Sequence, residues 1–175
     1  MPRSAALPFT IRRSEDVLGS ASMTTTTETV HGLLRLHGDE VTIQWRSAWK
    51  TEHIGSEIRT DREVDDVQEV VVPLDAIAGA SRRRSIWDRI RAPRFVLTAS
   101  DLRAFEDVAG EGGLSLDHPA ELVVRIKRSD ALAAEEFAAE LALALAERQI
   151  APPESGPSSL GPPPGGPERL ASPES

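Results

Sequence analysis

ELVVRIKRSDALAAEEFAAELALALAERQ, Glu121 to Gln149, changes its hydrophobic period partway along. In the first part Leu122, Val124 and Ile126 alternate with other residues, the spacing of a strand with one face in a core. From Ser129 the alternation stops. Leu132, Phe137, Leu141 and Leu145, with Ala134 and Ala138 beside them, form the apolar stripe of an amphipathic helix. Alanine, leucine and glutamate, all strong helix formers, fill the segment. Ser129 or Asp130 offers a side-chain oxygen as N-cap. The helix would run about 30 Å at 1.5 Å per residue, and it stops before Pro152 and Pro153.

Upstream of this point the period is two. Leu34 and Leu36 share a face in HGLLRLH, and Val41, Ile43 and Trp45 share one in EVTIQWR. His37-Gly38-Asp39 separates the two runs as a hairpin turn. Thr51 to Glu69 is polar and acidic without a lasting period and reads as a long loop. EVVVPL resumes as strand, with Pro73 placing it at an edge or an end because proline cannot donate to a ladder. A turn at Asp75 to Ile77 leads to a strand entering the arginines. RFVLTAS is a strand with Phe95 and Leu97 on one face. Ser100-Asp101 turn into LRAFEDV, read as another strand, and a Gly-rich loop precedes Glu121.

The order is about seven short strands and then one helix, with no βαβ alternation. The expected fold class is therefore mainly β: a partly open antiparallel barrel or sandwich of about seven strands, capped by the C-terminal amphipathic helix. This succession, with DALAAEEFAAELALALAE at its end, resembles the pleckstrin-homology-like superfold and in particular its small bacterial domains. The resemblance covers about Thr29 to Gln149 and rests on the order of elements. Lipid-binding members place a basic loop between their first two strands. Here that turn is HGD, short and acidic, so no phosphoinositide site carries over to any residue of this chain. The resemblance implies a binding or scaffolding module and does not choose its ligand.

Three segments follow from composition. Residues 1–28 are expected as a flexible leader and residues 29–149 as the domain. Residues 150–175 are expected as a disordered tail rich in proline, glycine and serine. Eight prolines, four glycines and five serines fall between Ala151 and Ser175, too little apolar surface to offset ordering entropy. GPPPGGP in that tail could suit a proline-binding domain, but a plain tail is the preferred reading. Met23 precedes the first strand-like stretch, so translation from Met1 or from Met23 is left open. The chain of 175 residues has no cysteine, which removes disulfides, thiolate nucleophiles and cysteine-bound zinc. No apolar run approaches the ~20 residues that span a bilayer, and the N-terminus lacks the apolar region of a signal peptide. The expected compartment is the cytoplasm.

Charge is unevenly placed. The net charge is −8, yet SRRRSIWDRIRAPR, Ser81 to Arg94, holds six arginines and one aspartate. Residues 50–69 hold seven acids against Lys50, Arg59 and Arg62. Arg82 and Arg84 would share one strand face, with Arg89, Arg91 and Arg94 crowding the connection. Guanidinium groups grip carboxylate and phosphate in bidentate fashion, and Ile86 and Trp87 would add an apolar anchor. The candidate binding residues are therefore Arg82, Arg84, Ile86, Trp87, Arg89, Arg91 and Arg94. The expected partner is an acidic protein or peptide. An anionic membrane surface is the alternative. Nucleic acid ranks last, because the rest of the domain would repel a polyanion. Against all of these stands a milder reading, in which the arginines neutralise the acidic loop of the same chain in exposed pairs worth about 0–1 kcal/mol each.

No catalytic motif occurs: neither G-x-S-x-G nor a P-loop is present. His31, His37, His53 and His118 are the only histidines. His31 and His37 share a strand face near Asp39, but their spacing matches no metal site, so no metal and no cofactor is expected. GEGG precedes no helix, and adjacent acids such as Asp65-Asp66 or Glu135-Glu136 read as solvated surface. Trp45 belongs in the core after Val41 and Ile43. Trp49 would lie at the end of the barrel or in a peptide groove. The expectation is a non-catalytic module, with an enzyme of unrecognised site as the second alternative.

Overall fold

The computed structural model describes residues 4–20, 22–83, 92–110 and 113–150. Eight strands form one antiparallel sheet: β1 (Ser4–Leu18), β2 (Met23–His37), β3 (Glu40–Ile54), β4 (Ile58–Val64), β5 (Gln68–Pro73), β6 (Ile77–Arg83), β7 (Arg94–Ala99) and β8 (Glu121–Arg125). Their spatial order is β4-β3-β2-β1-β8-β7-β6, and β5 shares the β4 side of β3. The sheet is open. A short helix, α1 (Glu106–Ala109), lies between β7 and β8, and the long α2 (Ala131–Ile150) follows β8.

Alternation sorts the side chains. Leu7, Phe9, Val30, Leu34, Leu36, Val41, Ile43, Trp45, Val72, Phe95, Leu97, Leu122 and Val124 face inward and are buried. α2 packs on this inner face against β6 and β1, burying Ala134, Phe137, Leu141 and Ala144. The Phe137 ring meets Phe95 edge-on, with centroids 5.7 Å apart and planes at 83°, the geometry that aromatic quadrupoles favour. Each phenylalanine is fully enclosed. Burial of such a side chain supplies about 1.5–3 kcal/mol, so the sheet–helix layer is held chiefly by this inner face.

The β2–β3 hairpin turns where expected. His37 pairs with Glu40, and Gly38 between them takes φ +56°, a conformation that costs glycine little. β5 is an edge strand, as Pro73 requires. The α2 stripe faces the core except at its start: Leu132 is 67% exposed, while Ala134, Phe137, Leu141 and Ala144 are buried and Ala138 and Leu145 pack against them. A 3-10 turn at Arg128–Asp130 leads directly into α2.

Three expectations are corrected. Ser4–Leu18 is no leader: β1 pairs with β2 from Ser4↔His37 to Leu18↔Met23, and its Leu7 and Phe9 enter the core. Thr51 to Glu69 is no single loop: β3 continues to Ile54, and β4 pairs back on it from Ile54↔Ile58 to Ala48↔Val64. LRAFEDV is no strand: it forms turns and the start of α1, and its Phe105 and Val108 are buried. The tail assigned to residues 150–175 lies outside the described residues from 151 onward.

The far halves of β1, β2 and β3, with β4, extend beyond α2 as a four-stranded arm. Its inward side carries Arg13, Glu28, Trp49, Thr51 and His53, none of them fully buried. Cross-strand polar contacts hold it. Arg13 Nη1 lies 3.9 Å from Glu28, Ser14 and Thr27 hydroxyls are 3.2 Å apart, Thr25 donates to Asp16 at 2.7 Å, and Trp49 Nε1 donates to Asp65 at 3.3 Å.

Candidate functional site

The outward face of the sheet carries one continuous register row. Arg83 pairs with Arg94, Arg94 with Arg125, Arg125 with Thr10, Thr10 with His31, and His31 with Arg46. Register partners point to the same side. Each residue of the row is flanked along its strand by inward, buried neighbours, such as Phe9, Val30, Trp45, Phe95 and Val124. The row crosses β6, β7, β8, β1, β2 and β3 in turn. Arg83, Arg94, Arg125, His31 and Arg46 are exposed. Arg12 on β1 and Arg35 on β2 lie on the same face, two and four residues along from Thr10 and His31.

Adjacent strands lie about 4.8 Å apart, so Arg83, Arg94 and Arg125 stand side by side. Like charges directly opposite each other destabilise a sheet by a few tenths of a kcal/mol to about 1 kcal/mol per pair. Of these three, only Arg83 has an acid at hand among the described residues: its Nη2 donates to Glu121 at 3.1 Å. Among the described residues, Arg46, Arg94 and Arg125 have no acidic partner within salt-bridge distance. A hollow of about 140 Å³ sits at the middle of the row, with Thr10, His31, Lys127 and Asp130 among its lining residues.

The residues singled out in the sequence divide. Arg94 stands in the row. Arg82 points the other way. It is the inward register partner of Phe95, and its Nη1 donates to Glu135 of α2 at 2.8 Å. Its Nε is buried and has no acceptor among the described residues. Arg82 therefore ties β6 to the helix, with its side chain 21% exposed. The acids that meet Arg82 and Arg83 belong to α2 and β8, not to the acidic 52–69 segment. Arg84, Ile86, Trp87, Arg89 and Arg91 lie outside the described residues. Arg46, Arg125 and Arg12 were missed because they are scattered over three strands, and a register row cannot be read from residues far apart in the chain.

Other expectations find these places. His31 and His37 lie on the outer face, exposed, and no cluster of three potential metal ligands occurs among the described residues. Trp45 is buried, its Nε1 without an acceptor among them. Trp49 is 37% exposed on the arm. A largely apolar cleft of about 470 Å³ lies between Leu102–Ala109 and Gly113–Pro119, with Glu106 as the one ionisable residue among the described residues that line it. Among the described residues no helix is long and apolar enough to cross a membrane. Comparison with known proteins finds no matching family model, no matching curated protein and no matching solved structure.

Proposed function

We propose that this chain is a non-catalytic binding module of the pleckstrin-homology-like type, and that the arginine row on its outer face recognises an acidic segment of a partner protein. The strand order, with α2 laid on the inner face of an open antiparallel sheet, supports the first part of the reading. One observation carries the second. Three arginines in adjacent strands are held in register, and two of them lack an acid within the described chain. That arrangement costs the free protein stability. An incoming set of carboxylates would relieve the repulsion and accept bidentate hydrogen bonds. The row lies across six strands, which suits an extended peptide carrying spaced acids better than a single small anion.

The test is fluorescence anisotropy with a labelled peptide of alternating glutamates, against an alternating-lysine control. The wild-type chain should bind the acidic peptide only, with affinity falling as salt rises. The triple variant Arg46→Glu/Arg94→Glu/Arg125→Glu should lose that binding while keeping the wild-type circular dichroism. Co-sedimentation with phosphatidylserine vesicles separates the membrane alternative. Strong vesicle binding with no peptide binding would overturn the peptide reading, as would an unchanged affinity in the triple variant.

A further inference from the structure

The β1–β8 ladder is a single pair, Thr10↔Arg125. Extending it toward the N-terminus would bring Pro8 opposite Lys127, and proline has no N–H to give. Toward the C-terminus, β1 runs on into the arm with β2 on one side only. Ile11 to Val17 thus presents an unpaired row of backbone N–H and C=O groups on its other side among the described residues. An exposed strand edge of this kind is a template for pairing with another chain.

The sequence of that edge is Ile11-Arg12-Arg13-Ser14-Glu15-Asp16-Val17. About Ser14 it is charge-complementary to its own reverse. When two copies meet antiparallel with their Ser14 residues opposed, Arg12 lies opposite the partner's Asp16 and Arg13 opposite the partner's Glu15. Ile11 lies opposite the partner's Val17. Two-fold symmetry repeats each pair, so every charge on one edge meets its opposite on the other. Opposite residues share a face, so Arg12 and Asp16 meet on the outward side, and Arg13 and Glu15 on the inward side.

We infer that this edge is a homodimer contact, in which β1 of two copies pairs antiparallel through Ile11–Val17 and joins the two sheets into one. The side chains are placed for it. Arg12 and Glu15 are exposed and have no partner among the described residues. Val17 is 59% exposed. Arg13 already contacts Glu28 and donates to the Ser115 carbonyl, but a guanidinium has five N–H donors and can also serve the partner's Glu15. Asp16 accepts from Thr25 and retains acceptor capacity. The other free edge of the arm, β4, does not offer the same match. Self-pairing of Ile58–Val64 would set Asp61 against the partner's Asp61, and Asp61 already holds Arg59 at 3.2 Å.

The test is sedimentation velocity on the full chain up to roughly 100 µM, since a single strand pair falls at the small, weak end of interface size. The wild type should show a concentration-dependent monomer–dimer equilibrium. Arg12→Glu/Arg13→Glu and Glu15→Arg/Asp16→Arg should each weaken dimerisation at least tenfold, because every cross-edge pair becomes repulsive. Mixing these two variants should restore a dimer, and the fourfold charge swap should dimerise alone. Amide hydrogen exchange of the wild type gives an independent readout, with protection of Arg12 to Asp16 rising with protein concentration. A monomer at every concentration, a dimer indifferent to both reversals, or exchange independent of concentration would overturn the inference, whether or not the variants fold.

Discussion

Gly32 stands opposite Phe9 across the β1–β2 ladder, and the Phe9 ring lies over the position a β-carbon would occupy. The phenylalanine covers the glycine backbone, an arrangement that keeps a glycine tolerable inside a strand. Gly32→Val should destabilise the fold by about 2 kcal/mol or more, because the inserted methyls overpack a closed site; urea unfolding measures it. Arg94 gives the opposite sign. It lies between Arg83 and Arg125 in the register, so Arg94→Gln should raise stability by about 0.5 kcal/mol at low salt. The gain should fade at 1 M salt, where screening acts within about 3 Å. Both residues show what a linear reading supplies and omits. Gly38 in HGD announces its turn locally, whereas the crowding at Gly32 and at Arg94 comes from residues far off in the chain.

Where one face of a strand or helix meets the core, the period of the sequence revealed it: β2, β3, β7, β8 and α2 all show inward residues at the expected spacing. β1 carries the same signal in Ala5, Leu7, Phe9 and Ile11, but Pro8 and the charged run after Ile11 obscure it. The arm has solvent on both sides, so Thr24 to Thr27 and Ile58 to Val64 show no apolar alternation, and β4 was not legible. LRAFEDV alternates by chance over a few residues. α2 shows the limit of a stripe read without its partner: Leu132 is exposed while Ala134 and Ala144 are buried, because a small residue is what close approach to the sheet requires. Phe137→Ala should therefore cost about 3–5 kcal/mol, whereas Leu132→Ala should stay within about 0.5 kcal/mol. Thermal and urea unfolding of the two variants make the comparison.

The chain behaves in this account as one sheet whose halves meet at β1: β2 to β5 lie on one side, β8, β7 and β6 on the other. A chain starting at Met23 would lose Leu7 and Phe9 from the core and leave β2 and β8 without their shared neighbour. It should fail to unfold cooperatively, which circular dichroism during a urea titration would reveal. The arginine row depends on the same connection, since Thr10 of β1 links Arg125 to His31. The sequence cluster from Ser81 to Arg94 supplies only Arg83 and Arg94 of the row among the described residues, because the row is assembled by strand register from six strands. The most direct test is NMR chemical-shift mapping of the wild-type chain titrated with the alternating-glutamate peptide. The largest amide shifts should follow Arg83, Arg94, Arg125, Thr10, His31 and Arg46 across the sheet. Shifts confined to the inner face, to the cleft beside Phe105, or absent altogether would contradict this prediction.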